Sequence, residues 1–226
     1  MTSGKTLNIL ITGATGLVGQ GVLHEALRNP NVARITLLGR RQTGCDDPRV
    51  REVVVPGFAD LSAVEDQLDD IDACLYCAGA PPIGTPEDEY RHVTVGLTTV
   101  VASTLARVNP DMRFLYISGA NANAKSWLMP LRVKGEAELA LQALQLQTTL
   151  FRPGGIQPAH GERSPHRMLR ALYAVAAPLM GVGVTLVPSV MTSTALLGRA
   201  MLSAAQMPEP PSIIENNEIN KLGKQA

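Results

Sequence analysis

Residues 7–19 read Leu-Asn-Ile-Leu-Ile-Thr-Gly-Ala-Thr-Gly-Leu-Val-Gly, an apolar run that breaks into glycines at 13, 16 and 19. Leu7 to Ile11 has the length and composition of a buried strand. Beyond the glycines, Val18, Val22, Leu23, Ala26 and Leu27 recur at helical spacing until Asn29-Pro30 stops them. Three spaced glycines alone mark ordinary turns, but a strand–turn–helix setting is what a dinucleotide cradle requires. Gly13 permits the tight turn, Gly16 lets backbone approach a pyrophosphate, and Gly19 lets the helix pack on the sheet. The helix N-terminus then aims its N–H groups and its dipole at phosphate. Thr12, Gly13, Ala14, Thr15, Gly16, Leu17, Val18 and Gly19 are therefore candidate cofactor contacts.

Outward from this loop, strand-like and helix-like segments alternate. Arg34–Leu38, Val53–Val55, Ala73–Cys77, Arg113–Ile117 and Thr148–Phe151 are apolar strands, and helices are expected over Glu87–Val108 and Arg132–Leu146. Near-continuous apolar strands between helices imply a parallel sheet covered on both faces, the doubly wound α/β (Rossmann) class. Pro208-Glu209-Pro210-Pro211 is too short to separate domains, so residues 1–226 are read as one domain, its part from about 155 onward shaping the pocket.

The second strand selects among dinucleotides. NAD-selective sites usually carry a carboxylate roughly 20 residues past the glycines, to bond the ribose 2′-hydroxyl. Here that count from Gly19 lands on Gly39, followed by Arg40 and Arg41. Without a carboxylate there, a guanidinium can pair with a 2′-phosphate, so NADP(H) is preferred over NAD(H). Asp60-Leu61 after the third strand is a candidate to flank the adenine, and Ala78-Gly79 after the fourth lets backbone lie against the cofactor.

The 226 residues balance 20 Lys and Arg against 20 Asp and Glu, which argues against a nucleic-acid partner. The N-terminus lacks a secretory pattern, and three cysteines are a sparse set that fits a reducing cytosol. Cys74 and Cys77 share a C-x-x-C spacing, but on a strand they point to opposite faces and read as core thiols. Ala171–Val187 carries no charge, yet Pro178, Gly181 and Gly183 interrupt it, so a buried helix and strand fit better than a membrane span. Contact with a membrane surface, with Arg163, Arg167 and Arg170 alongside, is the second reading of that stretch.

Thr12–Gly19, Leu38-Gly39-Arg40, Val133-Lys134-Gly135-Glu136, Phe151-Arg152-Pro153-Gly154 and the tail from Glu215-Asn216-Asn217 to Leu222-Gly223-Lys224 together resemble one family. It is the atypical short-chain dehydrogenase/reductases of the NAD-dependent epimerase/dehydratase type, in particular the Tat-interacting-protein-like oxidoreductases. The resemblance implies NADP(H) in the groove, with Pro153 and Gly154 beside it, and a small C-terminal region over the sheet's carboxyl edge. It implies a serine at Ser118 that bonds a substrate carbonyl and a lysine at Lys134 that holds the nicotinamide ribose. It also implies a tyrosine four residues before the lysine as the acid, but that position is Pro130, and no other tyrosine stands four residues before a lysine. Two functions stay open: an oxidoreductase on a small carbonyl or alcohol, and a non-catalytic NADP(H)-binding regulator acting through a protein partner. The oligomeric state, monomer or small homo-oligomer, is equally open. His92, His160 and His166 are spare titratable groups without metal-ligand spacing, so no metal is expected.

Overall fold

The computed structural model describes residues 6–162 and 189–226. The opening run forms β1 (Leu7–Thr12) and the glycine turn leads into α1 (Leu17–Arg28). Next come β2 (Val32–Gly39), β3 (Val50–Val54), a short 3₁₀ turn over Ser62–Gln67 and β4 (Ala73–Tyr76). The expected long helix runs from Glu87 to Val108 in three pieces: α2 (Glu87–Arg91), a π-helical turn (His92–Leu97) and α3 (Thr98–Val108). Then follow β5 (Arg113–Ile117), α4 (Met129–Gln142), β6 (Gln147–Arg152) and β7 (Gly155–Gln157). The C-terminal part supplies β8 (Met191–Ser193), α5 (Thr194–Gln206), β9 (Ile213–Glu215) and α6 (Asn216–Gln225).

Seven strands make one parallel sheet in the order β3-β2-β1-β4-β5-β6-β9, and β7 and β8 pair in a second, two-stranded sheet. The α/β doubly wound expectation holds. The strand order reverses at β1 and β4, which opens a crevice at their carboxyl ends.

Side-chain alternation divides the strands between two cores. Ile9, Ile11, Ile35, Leu75 and Phe151 meet Val22 and Ala26 of α1 and Leu197 and Met201 of α5 on one face. On the other, Leu10, Leu38, Cys74, Phe114, Tyr116 and Leu150 meet Val101 and Leu105 of α3 and Ala137 and Leu141 of α4. Each fully buried branched side chain contributes about 1.5–3 kcal/mol, so both faces are indispensable. Cys74 packs in the second core and Cys77 against the first, so the two thiols diverge as their spacing on a strand requires.

Strand ends shift by up to three residues from the sequence reading, and two larger differences stand out. The helix expected at Arg132–Leu146 begins at Met129, with Pro130 in its first turn, and ends at Gln142. The C-terminal region does not merely lie over the sheet, because β9 adds a strand to it beside β6. Arg152 of β6 joins these parts through paired bonds to Glu138 of α4 (2.9 and 2.5 Å) and one to Glu215 of β9 (3.2 Å). Among the described residues, no helix is long and apolar enough to cross a membrane; residues 171–187 lie outside the described ones.

Candidate functional site

A cleft of about 650 Å³ opens at the carboxyl ends of β1, β2 and β4, where the strand order reverses. Its floor is the glycine turn, Gly13 to Gly16, and one wall is the end of β2 with Gly39, Arg40 and Arg41. Ala78 and Gly79 line it after β4, and Pro81, Thr85, Glu89, Val93 and Leu97 close the far side.

Local geometry explains why this loop is built of glycine. Gly13 has φ +68°, and a Cβ on it would meet the Cys77 and Ala78 backbone at 2.7 Å. A Cβ on Gly19 would stand 2.1 Å from the Gly13 carbonyl oxygen. Leu17, Val18 and Gly19 do not line the cleft; Gly19 instead lets α1 sit against the turn. Thr12 is buried, and its hydroxyl accepts the N–H groups of Cys77 and Ala78, both at 3.2 Å, fixing the β4 loop over the turn. The first turn of α1 has no side-chain cap and no acidic residue, leaving its N–H dipoles for an anion.

Arg40 and Arg41 are exposed on the cleft wall, and neither guanidinium has a hydrogen-bond or ion-pair partner among the described residues. Glu52 of β3 also reaches this wall, but its Oε1 accepts the Thr43 hydroxyl at 2.5 Å and the N–H groups of Thr43 (2.9 Å) and Gly44 (3.2 Å). Burial pushes that carboxyl's pKa up, and those donors outweigh it, so the net shift is downward and the group stays ionised. Its bonds pin the loop that follows the arginine pair.

Other expected contacts lie elsewhere. Asp60 and Leu61 are not in the cleft lining: Leu61 is buried in the core, and Asp60 accepts the Ser62 N–H at 2.9 Å. An apolar side chain at the foot of the 3₁₀ turn gains more by burial, and Pro56, Gly57 and Phe58 form the cleft wall instead. Pro153 and Gly154 follow β6, between it and β7, and lie outside the cleft lining. The Pro153 carbonyl accepts the Ala120 N–H, and the Gly154 N–H donates to Asn216 Oδ1 at 2.8 Å.

Ser118 follows β5 directly, is 6% exposed, and its Oγ has no partner among the described residues. Lys134 is not in the cleft lining either. Its Nζ donates to the Ile117 carbonyl at 2.7 Å and to the Tyr116 hydroxyl at 3.1 Å, 4.7 Å above that ring. Desolvation brings the Lys134 pKa down to about 8, against a smaller upward pull from Glu138. Burial likewise raises the Tyr116 phenol well above its ordinary value. The Tyr116–Lys134 contact escaped the sequence reading because Tyr116 is indistinguishable there from its apolar strand neighbours. His92 is exposed on the π-helical turn, His160 lies beside Glu25 away from the cleft, and His166 is outside the described residues.

Comparison with known proteins places this geometry. Protein HTATIP2 of Rattus norvegicus is 26% identical over 221 residues, 96% of this chain and 89% of that protein. Protein fmp52, mitochondrial, of Aspergillus fumigatus is 28% identical over 182 residues, 77% of this chain and 76% of that one. Among solved structures, a thiolation-reductase di-domain from an archaeal non-ribosomal peptide synthetase superposes with a TM-score of 0.71 at 18% identity, covering 94% of this chain and 72% of that one. The Bordetella bronchiseptica enzyme WbmG in complex with NAD and UDP gives 0.70 at 13% identity, covering 95% and 74%. At those identities the structural likeness establishes the fold. The sequence profile of the NAD dependent epimerase/dehydratase family matches residues 9–127, over half of the chain, and the chain belongs to that family.

Proposed function

We propose that the cleft binds NADP(H) and that the chain is a slow oxidoreductase acting on a small carbonyl or alcohol. The observation that carries the cofactor reading is the guanidinium pair of Arg40 and Arg41, without a partner among the described residues, on the wall of a cleft floored by the glycine turn. Glu52, the acid on the same wall, is committed to Thr43 and Gly44. The family's name and the NAD bound by structural neighbours support the same class of ligand, a nicotinamide dinucleotide.

When bound, the dinucleotide supplies a hydride. The uncapped first turn of α1 would hold the pyrophosphate, and Arg40 and Arg41 would hold the 2′-phosphate. We assign the Ser118 hydroxyl, a buried donor with no partner among the described residues, to a substrate carbonyl oxygen. Lys134 positions the serine by holding the carbonyl of Ile117, the residue before it. With proline at 130, the proton comes from water, and the loss of a built-in acid slows turnover by about 10²- to 10⁴-fold.

A second reading, a non-catalytic regulator that signals NADP(H) occupancy to a protein partner, is favoured by Pro130 together with the inward engagement of Lys134. In both readings residues 1–226 act as one domain. Three free thiols support a reducing compartment, and we place the chain in the cytosol, although fmp52 relatives carry the word mitochondrial in their names.

Titration of NADPH and NADH onto the protein and its Arg40→Ala form tests the cofactor choice. Losing a charge-assisted bond of about 1.5–3 kcal/mol weakens NADPH roughly 10- to 100-fold and leaves NADH nearly unchanged. Equal loss for both, or none, overturns the selection; no binding of either by the parent protein overturns the cleft assignment.

A further inference from the structure

Behind the glycine turn, α1 carries His24 and Glu25, and the loop after β7 brings His160 against them. The two imidazoles stack, with centroids 3.9 Å apart and planes at 28°. Glu25 is 7% exposed; its Oε1 lies 2.8 Å from His160 Nε2, and its other oxygen lies 3.7 Å from Arg199 Nη1. His24 Nε2 is closed off from solvent and has no hydrogen-bond partner among the described residues. One donor atom from each of the three side chains stands within 4.8 Å of the other two. Linear spacing hid this group, because 135 positions separate Glu25 from His160.

The loop that carries His160 is already seated. Its N–H donates to Glu162 Oε2 at 2.8 Å, while Glu162 Oε1 accepts the Thr194 hydroxyl at 2.6 Å. The Ala159 N–H donates to that same hydroxyl oxygen at 3.0 Å. Close approach to α1 depends on Gly21, where a Cβ would stand 2.4 Å from Thr194 Cβ and 2.8 Å from Glu162 Oε1.

We propose that His24, Glu25 and His160 form a binding site for a divalent transition-metal ion of the Zn²⁺ class. Two imidazoles and one carboxylate are a donor set such ions favour, with the remaining position left to water. Donors around tetrahedral zinc stand roughly 3.4 Å apart, so the group closes when the exposed His160 ring turns off the stack. The ion takes the place of the proton between His160 and Glu25, and it clips residues 158–162 onto α1. Arg199 approaches the second Glu25 oxygen, and Oε1 is the one turned to His160.

The test uses the whole chain, stripped with a chelator and titrated with ZnCl₂ by calorimetry, with CoCl₂ as a spectroscopic probe. One ion binds per chain, the melting temperature rises with zinc, and cobalt develops visible d–d bands. His160 is exposed, so His160→Ala folds as the parent does, checked by circular dichroism in chelator. It weakens zinc by more than about 100-fold, beyond what loss of an outer-shell partner costs. Cys45→Ser, altering a thiol that lines the same groove as His24, binds zinc as the parent does. No stoichiometric binding at millimolar zinc overturns the site and leaves a stacked imidazole pair with His160 bonded to Glu25. Unchanged affinity in His160→Ala, or loss in Cys45→Ser, moves the ion elsewhere and overturns it equally.

Discussion

The ammonium of Lys134 sits over the Tyr116 ring and bonds the Ile117 carbonyl, where desolvation lowers its pKa from 10.5 to about 8. Below about pH 8 the folded and unfolded chains both hold this proton, so the lysine adds no pH dependence. Between about 8 and 10.5 the unfolded chain keeps a proton that the folded chain has released. Unfolding then takes up protons, and this group's contribution to stability grows as pH rises through that window. Lys134→Met removes the term. Denaturant melts at pH 7, 8.5 and 10 should show the parent gaining stability relative to the variant at each step. Parallel profiles would show that the ammonium is solvated and not held inside. The lysine was legible in the sequence as part of a motif, but its orientation was not. A resemblance fixes a position along α4, whereas the direction of Nζ depends on which acceptors β5 offers.

Helix α1 illustrates how an element is shaped by what it must approach. Gly19 and Gly21 lie inside it, each costing roughly 1 kcal/mol of helix propensity relative to alanine. Both are needed because backbone or side chains press close: the Gly13 carbonyl against Gly19, Thr194 and Glu162 against Gly21. Gly19→Ala should therefore destabilise the fold by about 1–3 kcal/mol through overpacking and abolish dinucleotide binding by pushing the turn out of place. Gly79→Ala, whose Cβ meets nothing within 4 Å, is the control and should melt within about 0.5 kcal/mol of the parent. If both variants bind and melt alike, the close approach is not what retains glycine at 19. Elements of this length and period were readable in advance. The strands β7, β8 and β9 were not, since three residues carry no alternation and only their pairing defines them. The π-helical turn in the middle of Glu87–Val108 was equally silent, because one extra residue per turn leaves the apolar spacing nearly intact.

At the scale of the whole molecule, the reversal of strand order opens a crevice at the ends of β1 and β4. The glycine turn, the arginine pair and Ala78-Gly79 meet there, all visible in the sequence as strand-end features. The Pro56–Phe58 wall gave no signal, since a loop's course over a cleft follows from packing and not from its own residues. What the crevice does turns on Pro130, which occupies the first turn of α4. A first-turn N–H needs no intrahelical partner, so Pro130→Tyr is compatible with the helix and restores a phenol at the family's position. The new phenol finds Lys134 engaged with Tyr116 and Ile117, so its pKa stays near the ordinary value of about 10. A weakly activated acid gives a gain toward the low end of the general-acid range, about 10²-fold. NADPH oxidation across a panel of small aldehydes and ketones should thus be slow in the parent and roughly a hundredfold faster in Pro130→Tyr. Background rates in both forms, with NADPH bound by both, would remove turnover from the reading and leave the cleft as a sensor of its dinucleotide.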